Sequence, residues 1–159
     1  MTDFNEVIET INATLPVHSM WDGFWVHSFK RNTLVVSCSF DRIYYRDFDL
    51  IFKKVTFFNI PGEWRDTNIF GNDLIRLATP EEFHRHHPGF ETGAHNIFAI
   101  DLYFENREKN ATWEKETFFI LAEHIYLIRC ERGNNPVPEY IDPFVDEVFP
   151  CKKNRVIVR

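Results

Sequence analysis

Four histidines fall within one short run, HRHHPGFETGAH: His84, His86, His87 and His95. Imidazole is a common metal ligand, and Glu82, Glu91 or Asp101 would supply the oxygen donors to complete a site. The spacing matches no zinc signature. On a helix His84 and His87 share a face and His86 points elsewhere. The expectation is therefore a solvated, neutral cluster, with His84, His87 and His95 as weak metal candidates and no cofactor. Two further pairings have the right chemistry. Cys38 with His27 would make a thiol and a base on neighbouring strands, although Cys38 falls in the apolar phase of its strand and is expected to point inward. Asp101 with Glu116 would make an acid–base pair, which charges on a solvated sheet face explain equally well. The chain has no GxGxxG, no P-loop, no GxSxG and no HExxH, and its six glycines leave little for phosphate-cradling loops. These absences lower the expectation of an enzyme.

A different kind of chemistry lies in tryptophans set beside acids. Trp64 follows Pro61-Gly62, and Trp113 sits inside NATWEKE. Protein contact surfaces use such residues, and lids over a local core use them too. The candidate partner-binding set is Trp64, Asp101, Glu105, Trp113, Glu114 and Glu116. The charge distribution agrees with it. The net charge is −6; residues 1–72 carry nine acidic and seven basic side chains, residues 73–147 fifteen and seven, and the last eight residues four basic groups. An acidic body argues against nucleic acid, which needs a cationic face, and suits a basic protein partner through complementary fields.

The elements that must position these residues read as mainly β. Residues 3–13 form an amphipathic helix with Thr2 as its cap and Phe4, Val7, Ile8 and Ile11 in one stripe. Residues 20–30 form a strand, Arg31-Asn32 turns a hairpin, and 33–41 alternate with Leu34, Val36, Cys38 and Phe40 on one side. The aromatic stretch from Phe48 to Trp64 is the central strand. Its period-2 pattern slips by one residue at Lys53-Lys54, the mark of a bulge or bend. Residues 73–78 make a short strand, and Thr79-Pro80-Glu81-Glu82 starts a short helix ended by Pro88-Gly89. Residues 95–105 are a long strand with Phe98, Ile100, Leu102 and Phe104 on its apolar face. Residues 115–130 are one bent strand or two joined near Glu123-His124. The fold expected is mainly β (α+β), with six to eight strands in a strongly bent antiparallel sheet or open barrel, an N-terminal helix and one short internal helix.

With 159 residues and 17 phenylalanines, the chain has enough apolar mass for one packed domain. We place that domain at 1–133. Residues 134–159 form a C-terminal extension, packed on the domain or partly flexible, in which Asp142-Pro143 begins a helical turn or two. Three cysteines without a CxxC (Cys38, Cys130 and Cys151) fit a reducing compartment, with Cys38 and Cys130 as core thiols. TDFNEVIET reads as an acidic helix and not a signal peptide, and no apolar run reaches the roughly 18 residues a membrane span needs. A cytoplasmic protein is expected, in which the NxT sequons at Asn12 and Asn110 carry no sugar.

The succession F-x-x-V-x-F-F-x-I-P, L-A-T-x-E-E-F, N-I-F-A-I-D and A-E-H-I, over residues 20–130, resembles small bacterial immunity-type proteins of polymorphic toxin systems. The resemblance implies a cytoplasmic inhibitor that binds and neutralises a toxin domain, and it assigns no site residues. The leading expectation is an acidic protein-binding module that occludes a basic site. The alternative is a small-ligand or metal-dependent enzyme with His27, His95, Asp101 or His124 inside the curved sheet. A third reading is a structural subunit, a homodimer that pairs through residues 139–149.

Overall fold

The computed structural model describes residues 4–14, 23–39, 48–64, 73–106 and 112–129. Expectations that fall elsewhere, including Cys130, Cys151, the Asn110 sequon and the extension from residue 134, lie outside the described residues. Helix α1 (Phe4–Thr14) opens the chain and is followed by β1 (Gly23–Lys30), β2 (Thr33–Ser39), β3 (Phe48–Lys53), β4 (Phe57–Phe58), β5 (Glu63–Trp64) and β6 (Ile75–Leu77). Helix α2 (Pro80–His86) then precedes β7 (Asn96–Asn106), β8 (Thr112–Ala122) and β9 (His124–Arg129). The strands form two antiparallel sheets, ordered β5-β1-β2-β3-β9 and β4-β8-β7-β6. The described residues are mainly β with two helices, as the patterning predicts.

Local signals explain the joints. Arg31 and Asn32 both take positive φ, +48° and +57°, which is the twist a two-residue hairpin needs, and Lys30 pairs with Thr33 across it. In β1 the register shifts between Val26 and Ser28, so His27 occupies a bulge. That shift overturns the simple alternation expected for the strand: Phe29 lies opposite Leu34, on the side where Phe24 and Val26 lie opposite Cys38 and Val36.

The stretch from Phe48 to Trp64 is three strands and not one. Its phase slip falls where predicted, at Lys54, whose φ is +54°. The slip does more than bend a sheet, because the chain leaves the first sheet after β3, enters the second as β4 and returns as β5. Opposite it, β8 passes into β9 across the break at Glu123 and crosses the other way. Since β3 pairs with β9 and β4 with β8, the two crossings run side by side as one antiparallel ribbon bent through a corner. Glu123 N donates to Lys53 O at 3.1 Å there, and Lys54 forms an ion pair with Glu123.

The main core fills the space between the sheets. Phe52 of β3 meets Phe98 of β7 edge to face at 5.5 Å, among Leu34, Val36, Cys38, Leu50, Ile100, Ile120 and Leu127. Each fully buried Phe or Leu contributes about 1.5–3 kcal/mol. Cys38 is a buried core thiol, as expected, and its Sγ donates to Phe48 O at 3.5 Å. Helix α1 lies against β6 and β9, the edges of the two sheets, and Phe4 touches Phe98 at 6.3 Å. Both outer faces are used as well. Phe83 of α2 covers Ile97, Ala99, Phe119 and Leu121, while Val35, Ile51 and Ile128 form a third cluster. Strand β2 was expected half-buried, but its second face is buried too, and Ser37 Oγ donates there to Asp49 Oδ1 at 2.6 Å.

Asn12 ties α1 to the edge of β6 by imitating a strand. Its Nδ2 donates to Ile75 O at 2.8 Å, and its Oδ1 accepts from Ile75 N at 3.2 Å. Asn12→Ala leaves both groups of Ile75 without these bonds and is expected to destabilise the fold by about 1–3 kcal/mol. Urea denaturation should show a lower midpoint at an unchanged slope; an unchanged midpoint would remove this role for Asn12.

Candidate functional site

The outer face of the β6–β7–β8 sheet carries a charge network that holds α2 in place. Thr79 caps the helix, its Oγ1 accepting from Glu82 N at 3.2 Å, and Pro80 occupies the first turn. The Glu82 side chain turns to Arg76 of β6. Arg76 Nη1 and Nη2 donate to Glu82 Oε2 and Oε1 at 2.9 and 2.6 Å, while Nε and Nη2 donate to Asp101 Oδ2 and Oδ1 at 2.8 and 3.2 Å. Thr117 Oγ1 donates to Asp101 Oδ1 at 2.7 Å, and Lys115 Nζ lies 3.2 Å from Asp101 Oδ2. Hydrogen bonds to Glu82 and then Asp101 raise the Arg76 pKa further, and that from Arg76 holds Glu82 below its ordinary range. Burial alone would raise Asp101, but hydrogen bonds from Arg76 and Thr117 outweigh it and keep the carboxyl low.

This arrangement redefines Asp101. Expected as a contact residue, it is a partly buried hub between one helix and three strands. Nor does it pair with Glu116: Asp101 lies opposite Thr117 and Glu116 opposite Leu102, so the two carboxylates take opposite faces of the sheet. The thiol–imidazole pair separates too. Cys38 lies opposite Phe24 and faces the core, while His27 sits in the β1 bulge.

Of the other predicted contact residues, Glu105, Trp113, Glu114 and Glu116 gather on a two-stranded ribbon. β6 pairs with β7 only from Phe98 to Ile100, and β4 pairs with β8 only at Ile120 and Leu121. β7 and β8 continue together to Asn106 and Thr112, beyond both neighbours. Residues Thr112 to Glu116 are all exposed, and burial begins only at Phe118. Glu105 lies opposite Trp113 on the α2 side, and Glu114 opposite Phe104 on the core side. Trp113 is 45% exposed and Phe104 42%. Phe104 continues the apolar alternation of its strand and was expected in the core. It is exposed because the sheet around it ends first, which the strand's own pattern does not encode. Trp64 takes the opposite course: it is buried, stacked on Phe24 at 5.3 Å and 10° between planes, and belongs to the core.

The histidines disperse. His84 Nε2 lies 3.0 Å from Phe90 O, and His95 Nδ1 lies 3.2 Å from Thr92 O. Among the described residues no three His, Cys, Asp or Glu side chains group as metal ligands. Of the four residues weighed for an enzyme site, His124 Nε2 lies 3.8 Å from Glu123 Oε2 at the corner, His95 is beside Thr92 O, Asp101 is in the Arg76 network and His27 is in β1. His87 has a distinct environment, packed on Phe57 and Phe83 at 4.9 and 5.0 Å. Asn59 Oδ1 accepts from Phe119 N at 2.7 Å, which turns its amide nitrogen toward His87 Nε2 at 3.4 Å. An amide nitrogen only donates, so this contact suits the neutral ring with its lone pair on Nε2. Burial, then His86, lowers the His87 pKa in the same sense.

Two pH dependences follow. Glu82 and Asp101 are held below their ordinary values, so the Arg76 network is fully stabilising above about pH 5 and loses that effect as acid protonates them. Arg76→Met should cost roughly 1–3 kcal/mol near neutrality, since Arg76 is partly exposed, and should flatten the loss of stability below pH 5. A variant as stable as the parent at pH 7 would show the network to be idle. For His87 the neutral form is the folded one, so stability should fall as pH drops below the ordinary imidazole value of 6.5. His87→Gln cannot titrate and should melt with a shallower dependence between those conditions; identical profiles in the two proteins reject the assignment.

Compared with protein-family models, curated proteins and solved structures, the chain matches none.

Proposed function

We propose that this chain is a protein-binding module, an immunity-type inhibitor that neutralises a bacterial toxin domain in the cytoplasm by covering a basic site, with the β7–β8 ribbon as its contact face. One observation carries the reading: the ribbon extends past both neighbouring strands and exposes Phe104 and Trp113 among Glu105, Glu114 and Glu116. Exposed large aromatics serve as anchors that lose little side-chain entropy on docking, and acids around them speed encounter with a cationic surface. Lys115, a base in the same stretch, lies on the α2 side, where it is engaged with Asp101, and the core-side face carries Glu114 and Glu116. The overall charge of −6 favours the same class of partner. No helix among the described residues is long and apolar enough to cross a membrane.

Binding to a basic toxin domain should weaken about tenfold or more in Trp113→Ala, the size of loss expected for an interfacial tryptophan. The double variant Glu114→Lys, Glu116→Lys should slow association and reduce its salt dependence. Both variants should still fold as the parent does, because none of these positions belongs to the buried core. Kinetics that match the parent in both variants would reject the ribbon as the contact face.

A further inference from the structure

The ribbon offers a partner backbone as well as side chains. Thr56 N donates to Leu121 O and Asn59 N to Phe119 O, so the odd-numbered residues of β8 turn their backbone groups to the β4 side. Backbone groups alternate along a strand, so Trp113, Lys115 and Thr117 present theirs to the same side, while Glu114 and Glu116 turn toward β7. β4 stops at Phe58, and Asn59 finishes the ladder with its own N–H and side-chain oxygen, both on Phe119. Among the described residues no strand lies beside Lys115 and Thr117.

Sheet edges are commonly protected by an outward lysine, a proline or a bulge. Here Lys115 is drawn across the face to Asp101, the segment from Thr112 to Ala122 contains no proline, and its register with β7 runs without a shift from Asn96 to Asn106. Unbroken in register, exposed and continuous with a formed sheet, this edge has the geometry of a site for strand addition.

We propose that the β8 edge takes up an extended segment of a partner protein as an additional strand, and that this segment alternates basic and apolar residues. The inference rests on the reading of the ribbon as a protein-binding face. Side chains of an added strand would alternate between the two faces of the ribbon. On the core side they would sit beside Glu114 and Glu116, which calls for Lys or Arg at every second position. On the other side they would sit beside Trp113, Thr117 and the stem of Lys115, whose ammonium is engaged with Asp101, which calls for apolar residues between. A second copy of this chain is the poorer occupant, because edge-to-edge pairing about Lys115 sets the Glu114 of each copy against the Glu116 of the other.

The test uses the full chain and an eight-residue peptide alternating Lys and Val, with an alternating Glu and Val peptide as control. Titration should show binding of the first and none of the second at about 1 mM peptide. Amide exchange followed by NMR should slow at least about tenfold at Lys115 and Thr117 in the complex, since their edge N–H groups gain partners. Glu114→Lys with Glu116→Lys should abolish both effects. Binding without protection at these two amides overturns strand addition while leaving the acidic contact face standing. No binding of the basic peptide overturns the inferred segment, and the contact face is then judged by the toxin-domain measurement alone. Concentration-dependent dimerisation of the chain with protection at the same amides overturns it in favour of a second copy.

Discussion

The structure depends on a corner at which two strands pass together from one sheet to the other. At Lys54 the chain takes a left-handed backbone conformation, and opposite it the ladder breaks at Glu123. A continuous pair of strands cannot fold back over its own face without such breaks, because the pleat keeps each side chain on one side. Placing both breaks at the same level lets β3–β9 and β4–β8 act as one ribbon in two sheets. Glu123 N on Lys53 O and the Lys54–Glu123 ion pair keep the corner hydrogen-bonded where the ladder is interrupted. The ion pair is exposed and adds little by itself; the backbone bond and the buried rings inside the corner carry more.

From this corner the other features follow. The sheets face each other across Phe52 and Phe98, and α1 lies against the strand that ends each sheet, with Asn12 bonded to the free side of β6. The second sheet then has an outer face that a purely two-layer packing would leave to solvent. Helix α2 covers part of it with Phe83, and the Arg76 network fixes the helix beside that contact. Past the reach of α2, β4 and β6 lies the far end of β7 and β8, which no other element among the described residues covers. The proposed contact face is therefore the part of the longest hairpin that the core does not use. A ribbon that is not needed to close the core is free to vary in sequence and to bind, as loops do.

Much of the architecture was legible because it depends on short-range chemistry. The stripe Phe4, Val7, Ile8, Ile11 predicts α1, Thr79-Pro80 predicts the start of α2, and Arg31-Asn32 predicts the first hairpin. The phase slip at Lys53-Lys54 locates the corner to the residue. Less of the candidate site was legible. Asp101 and Glu116 look like neighbours until the register puts them on opposite faces. Glu82 looks like the partner of its own helix cap until Arg76 takes both its oxygens. The bulge at His27 reverses the phase of β1, and nothing in GFWVHSFK marks its position.

By itself, then, the sequence determined most of the elements and the turns between them, since periodicity, capping and backbone preference act over a few residues. Only the tertiary structure decided which exposed-looking residues are exposed. Trp64 follows a turn yet stacks on Phe24, and Phe104 keeps the apolar phase yet stands beyond the sheet. The reason is physical: burial depends on where neighbouring strands end, and the lengths of β4 and β6 are set by distant segments of the chain. The same holds for the edge of β8, which among the described residues is left without a neighbouring strand because β4 stops at Phe58 while β8 runs on to Thr112.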